Sequence, residues 1–316
     1  MTTGPSLSVE LAPGSKRGLL LANPVMVASG TFGYGDDQTR LFDIQRLGAI
    51  VTKTTTLSPR RGNPPPRIAE TPSGMLNSIG LQNIGISALV REKAPIYQGW
   101  RVPVIASVMG FTVREYAEVA AKLEGVEGFA GVELNLSCPN TERGGIEFGQ
   151  DPESAAAVVR GVIRATTLPV IAKLTPNVAD PVAIARAVVD AGAHALCVGN
   201  TLQAMAIDLG RKRPAIGATF AGLSGPALKP VALRQVYAVA GEVDVPVIGC
   251  GGVSTATDAL EFILAGASAV QVGTATFANP LAPLEVIDGI ERYCREHGIE
   301  DVNQLVGAGR LEAAKR

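Results

Sequence analysis

Short apolar runs alternate along the chain with longer stretches whose apolar positions recur every three or four residues. Eight runs read as strands: PVMVASG (24–30), AIVTKTTT (49–56), PVIASVMG (103–110), GVELNLSC (131–138), PVIAKLTP (169–176), ALCVGNT (195–201), PVIGCGG (246–252) and AVQVGTAT (269–276). The stretches between them, such as VREYAEVAAKLEG and TATDALEFILAG, carry the apolar stripe of a helix packed on a sheet. Asp151-Pro152 and Asp180-Pro181 read as N-caps with proline at the first helical position. Gly192 and Gly266 sit where helices end and strands resume. Alternating β and α elements imply a parallel sheet with right-handed crossovers. The count of eight, with no composition break for a second domain, favours a closed (β/α)8 TIM barrel over an open doubly wound sheet, with residues 1–316 forming one domain.

Two segments fall outside this rhythm. The start, SLSVELAP followed by SKRGLLLAN, reads as an N-terminal hairpin that plugs the bottom of the barrel. Residues 57–84, LSPRRGNPPPRIAETPSGMLNSIGLQNI, form a long insertion after strand two, on the side where such barrels keep their active sites.

Composition narrows the function classes. The 316 residues are 47% hydrophobic and 18% charged, with a net charge of −1, so no basic surplus points to nucleic acid or to an anionic membrane. The N-terminus has no signal-peptide core and no stretch of about 18 apolar residues occurs, so a cytoplasmic location is expected. Cys138, Cys197, Cys250 and Cys294 form no C-x-x-C pair and match no zinc or iron–sulfur spacing, and His194 and His297 lie far from Cys138, which argues against a metal site.

In a barrel of this kind the C-terminal ends of the strands face the site. They supply Ser29, Lys53-Thr54, Ser107, Asn135, Cys138, Lys173, Asn200-Thr201, Gly251-Gly252 and Gly273-Thr274. A lysine in an apolar strand needs a negative partner. Either one of the two pairs with a barrel carboxylate such as Glu133, or both serve an anionic ligand. The glycines after strands seven and eight suit a phosphate held by bare backbone N–H groups. The mouth has no histidine, and Cys138 is the leading proton acceptor. His194 reads as a packing residue at the barrel bottom.

The motifs N-L-S-C-P-N (135–140), E-T-P-S-G-M-L-N-S-I-G-L-Q-N (70–83) and K-L-T-P-N (173–177) resemble class 1 dihydroorotate dehydrogenase over essentially the whole chain. C-P-N-T-E-R-G-G-I-E-F-G (138–149) and the insertion resemble class 1B in particular. The resemblance implies FMN in the barrel mouth and oxidation of dihydroorotate to orotate in pyrimidine biosynthesis. It implies Cys138 as the general base at C5, with hydride leaving C6 for the flavin. By the same resemblance Ser29, Lys53, Thr54, Asn135, Lys173, Gly199, Gly225, Gly251, Gly252, Gly273 and Thr274 match flavin contacts. Lys53, Asn77, Ser78, Ile79, Gly80, Leu81, Asn135, Asn140, Asn200 and Thr201 match the substrate shell. Ser107 departs from the family, which carries asparagine there, so the shorter hydroxyl loses one flavin hydrogen bond or makes it through a water.

The resemblance further implies a homodimer, or a heterotetramer with a partner subunit that holds FAD and an iron–sulfur cluster and passes electrons to NAD; fumarate is the alternative acceptor. The rival readings are a dihydropyrimidine dehydrogenase-type flavin enzyme, a flavin barrel acting on tRNA and a non-catalytic phosphate-binding barrel. Strand parity puts Glu133, Asn135 and Ser137 on one face and Leu134 and Leu136 on the other. Asn135 then looks into the barrel. Pro139 makes the chain leave the ladder near Ser137, which places Cys138 on a loop.

Overall fold

The computed structural model describes residues 4–137 and 147–311. Eight parallel strands close into a barrel: β1 (Val25–Val27), β2 (Ala49–Val51), β3 (Val104–Val108), β4 (Gly131–Asn135), β5 (Val170–Leu174), β6 (Ala195–Val198), β7 (Val247–Cys250) and β8 (Ala269–Val272). Each strand pairs with the next in sequence, and β8 closes on β1 through Val270↔Val25 and Val272↔Val27. The expected (β/α)8 barrel is therefore what the chain forms. Each strand is shorter than its apolar run. The residues past the ladder, such as Ser29, Lys53 and Asn200, belong to the loops at the mouth.

Local chemistry sets the helix starts. Asp151 accepts from Ser154 N ahead of helix Pro152–Ile163, and Asp180 accepts from Val182 N and Ala183 N ahead of helix Pro181–Asp190. Thr255 and Asp258 form a reciprocal capping box on helix Ala256–Ala265, which ends at Gly266 in the left-handed region. The helices pack their apolar faces on the strands, and their buried residues join those of the strands in one core cluster. The N-terminal hairpin pairs Val9 with Leu21 and Glu10 with Leu20. His194 Nδ1 accepts from Val170 N at 3.0 Å, a packing role at the N-terminal end of the strands.

The insertion after β2 does not stand alone. Its strands Ile68–Thr71 and Gly74–Asn77 form a hairpin. Gly74–Asn77 then pairs with Ala221–Ser224, which pairs with Leu202–Ala204, both from the segment after β6. The resulting four-stranded antiparallel sheet lies beside the mouth, on a small apolar cluster of Leu76, Ile216 and Ala221. No helix among the described residues is long and apolar enough to cross a membrane.

Candidate active site

The strand ends and this sheet enclose a cavity of about 480 Å³, within the range of small-molecule sites, roughly 300–1,000 Å³. Among its lining residues are Ser29, Lys53, Thr54, Asn135, Lys173, Gly225, Gly251, Gly252, Gly273 and Thr274. Asn77, Ser78, Ile79, Gly80, Leu81, Asn200 and Thr201 line it as well. Four residues named from the sequence are not among these, two because they lie outside the described residues and two because they stand elsewhere. Cys138 and Asn140 lie outside the described residues. Ser107 is fully buried behind Thr54, to which its hydroxyl is bonded at 2.9 Å, so it does not reach the cavity. Gly199 packs β6 against β7: a Cβ there would stand 1.8 Å from the Cys250 carbonyl oxygen.

The walls differ in chemistry. On one side a chain of hydroxyls, Ser29–Thr54–Ser107, has two links of 2.9 Å. Opposite lie the amides. Asn200 Nδ2 donates to Ser137 Oγ at 3.0 Å and to Asn135 Oδ1 at 3.3 Å. Asn177 Nδ2 donates to the Thr201 carbonyl at 3.1 Å, and Asn77 Nδ2 to the Gly222 carbonyl at 3.3 Å. The loop that carries Asn77–Leu81 is held in a costly shape, since Leu81 has a φ of 59°. The Ser137 side chain faces the cavity, as its parity with Asn135 requires.

The third wall is built for an anion. Gly251 and Gly252 have φ values of 134° and 78°, which side chains rarely adopt. A Cβ on Gly252 would also stand 2.7 Å from Lys229 N. The N–H groups of Gly252, Gly273 and Thr274 make no hydrogen bond among the described residues. The short helix Ala275–Ala278 begins directly after them. Thr274 Oγ1 donates to Ser224 Oγ at 2.8 Å, tying this wall to the sheet over the mouth.

The two lysines occupy opposite electrostatic settings. Burial pushes the Lys53 pKa down, and no carboxylate among the described residues pairs with it. The Lys173 ammonium is opposed by burial, but Cys197, Cys250 and Glu133 around it hold its pKa above the ordinary lysine value. Its Nζ donates to Gln271 Oε1 at 2.7 Å, and Gln271 Nε2 donates to Glu133 Oε2 at 2.6 Å. The thiol pair beside it divides its proton unequally. The hydrogen bond from Cys197 brings Cys250 down to about 7, with help from Lys173 and against burial, while burial drives Cys197 up.

Sequence reasoning missed several wall residues. Gln271 and Cys250 sit in apolar strands without a motif to flag them. Glu147 lines the cavity with its pKa raised by burial, against a hydrogen bond from Thr175. Asn177 lay within a quoted motif but was given no role.

The sequence that builds this site matches known proteins. A family model described as "Dihydroorotate dehydrogenase" matches residues 15–294. A protein of Trichlorobacter lovleyi named "Dihydroorotate dehydrogenase B (NAD(+)), catalytic subunit" is 55% identical over 304 residues, 96% of this chain and 98% of its own length. Proteins of the same name from Geotalea uraniireducens and Desulforudis audaxviator are 54% and 56% identical, covering 96% and 92% of this chain and 98% and 95% of their own lengths.

Proposed function

The chain belongs to the dihydroorotate dehydrogenase family, and from that premise we propose that it oxidises dihydroorotate to orotate with FMN held in the barrel mouth. Lys53 carries the reading: a half-buried ammonium without a carboxylate partner among the described residues calls for an anion from outside the chain. The substrate's carboxylate is such an anion.

The residues present suit the cofactor. The unbonded N–H groups of Gly252, Gly273 and Thr274 and the start of helix Ala275–Ala278 would hold its phosphate. Gly225 and Gly251 would line that end, and Ser29 and Thr54 would meet its polar edge. Lys173 would stand near the part of the ring that becomes negative on reduction. When bound, FMN supplies the acceptor for the hydride from C6.

The chain's own residues do the rest. Asn77, Asn135 and Asn200 offer paired donors and acceptors to the imide edges of a planar pyrimidine. Lys53 fixes the carboxylate, and Ser78 to Leu81 and Thr201 complete the shell. Cys138 takes the C5 proton as general base. A free thiol has a pKa of about 8.5, so the rate of substrate oxidation rises between about pH 7 and 9. Electrons then leave through a partner subunit bearing FAD and an iron–sulfur cluster, with NAD as the acceptor. NAD and a partner subunit rest on the names of the relatives, and the partner's FAD and iron–sulfur cluster on the resemblance of the C-P-N-T-E-R-G-G-I-E-F-G segment to class 1B.

Anaerobic titration with dihydroorotate tests the reading. Stoichiometric substrate bleaches the yellow absorbance of the bound flavin. Persistence of that absorbance across pH 7 to 9, or purified protein without flavin, overturns it. Cys138→Ala keeps the flavin but slows its reduction by about 10²-fold, the scale of general-base catalysis. Near-normal reduction by that variant removes Cys138 from the role.

A further inference from the structure

The lumen beneath the cavity holds an arrangement that the reaction does not by itself require. Glu133 on β4 and Lys173 on β5 come from adjacent strands and form an ion pair without a direct hydrogen bond. Lys173 Nζ and Glu133 Oε1 stand 3.6 Å apart, and this Oε1 is buried with no hydrogen-bond partner among the described residues. The amide of Gln271 bridges the two groups, reaching across from β8 on the opposite side of the barrel to bond Lys173 and the other carboxylate oxygen. Its orientation follows from chemistry. An ammonium only donates and a carboxylate only accepts, so Oε1 must face Lys173 and Nε2 must face Glu133. Only a residue that both accepts and donates can occupy this place.

The separation has an electrostatic consequence. A carboxylate bonded directly to the ammonium offsets more of its field than one held at 3.6 Å, so the arrangement keeps Lys173 charged while leaving more of that field to the cavity, which Lys173 lines. An ammonium carries three N–H donors. One goes to Gln271 and another has the Cys250 thiol within reach, which leaves one for the cavity.

We propose that Gln271 is a positioning residue that takes the direct hydrogen-bonding place on Lys173 and holds Glu133 at the longer ion-pair distance, so that the positive field of Lys173 favours the reduced cofactor. The proposal rests on the flavin reading above. Lys173 acts on the cofactor, Gln271 acts on Lys173, and Glu133 supplies the countercharge that makes a buried lysine tolerable.

The test exchanges the two residues. Glu133→Gln combined with Gln271→Glu keeps composition and net charge, but moves the carboxylate to the position bonded to Lys173 at 2.7 Å. The midpoint potential of the bound flavin is then measured by anaerobic dye-coupled titration of the flavin-loaded protein. It falls by at least a tenfold change in the oxidised-to-reduced ratio, about 30 mV for a two-electron couple. Gln271→Met is the second variant. It removes the spacer, lets Glu133 close on Lys173 and lowers the potential in the same direction. An unchanged or raised potential in either folded, flavin-bearing variant overturns the proposal. A variant that keeps its melting temperature but binds no flavin also overturns it, because Gln271 would then build the site rather than tune it. Wild-type protein without flavin refutes the flavin reading itself, so the two failures are distinguishable.

Discussion

The two sides of the barrel mouth hold a lysine each, and the lysines are kept by opposite means. Lys173 sits in the lumen among Gln271, Glu133 and Cys250, its charge maintained by the fold. Lys53 stands at the end of β2 with its charge weakened by burial and no described carboxylate beside it. The first lysine is part of the protein's own electrostatic balance. The second is completed only by a ligand. A half-buried cation without a carboxylate therefore marks a binding site by what it lacks, and one held by the fold's own carboxylate and amide marks a tuned environment.

Removing each lysine separates the two cases. Lys173→Met leaves Glu133 and Gln271 without their partner and destabilises the protein by about 3–5 kcal/mol, measured by denaturant unfolding. Adding Glu133→Leu to that variant recovers part of the loss, because no unpaired charge remains buried. Lys53→Met does the reverse. Its melting temperature is no lower than the wild type's, while orotate affinity falls about 100-fold by titration, in line with a lost charge-assisted contact of about 2–3 kcal/mol.

The pH dependence sharpens the contrast. The folded pKa of Lys53 is depressed, so the ligand-free protein loses this charge at a lower pH than an exposed lysine does. Orotate affinity falls as pH rises through that depressed value, by up to about tenfold per unit, and binding there takes up a proton. Calorimetry in buffers of different ionisation enthalpy reads this uptake, which Lys53→Met abolishes. The stability contribution has the opposite sense. The unfolded chain binds the proton more tightly, so unfolding free energy rises with pH between the depressed pKa and the ordinary value near 10.5. Ser107→Ala gives the smallest effect. It removes the far end of the Ser29–Thr54–Ser107 chain and costs about 1 kcal/mol of stability, with flavin still bound.

Much of this contrast was legible in the sequence, and the limits have physical causes. Lysines in apolar strands and glycines after the last two strands stand out because their cost or freedom is local. The pairing of Lys173 with Glu133 was one of two readings open from the sequence; the amide between them was not visible. Gln271 resembles any polar residue in a strand until the barrel closes and places β8 opposite β4. Ser107 and Gly199 carry the right residue types at strand ends, but a difference of a few ångströms in depth puts them behind the wall. The insertion after β2 was evident as a segment, whereas its partner strands after β6 were not. Short strands such as Leu202–Ala204 give too little alternation to register from a pattern.

The sheet over the mouth joins segments far apart in the chain: Asn77 is bonded to Gly222, 145 positions later. Such a pairing must await closure of a very long loop, so it belongs to the slow, late part of folding. Six of the eight barrel strands precede Gly222 in the chain. A nascent chain on the ribosome therefore emerges with its two lysines well before it has a mouth to put them in. Binding of orotate or flavin reports the final folding step, and a ligand-binding signal that lags the recovery of helical structure during refolding would time that step directly.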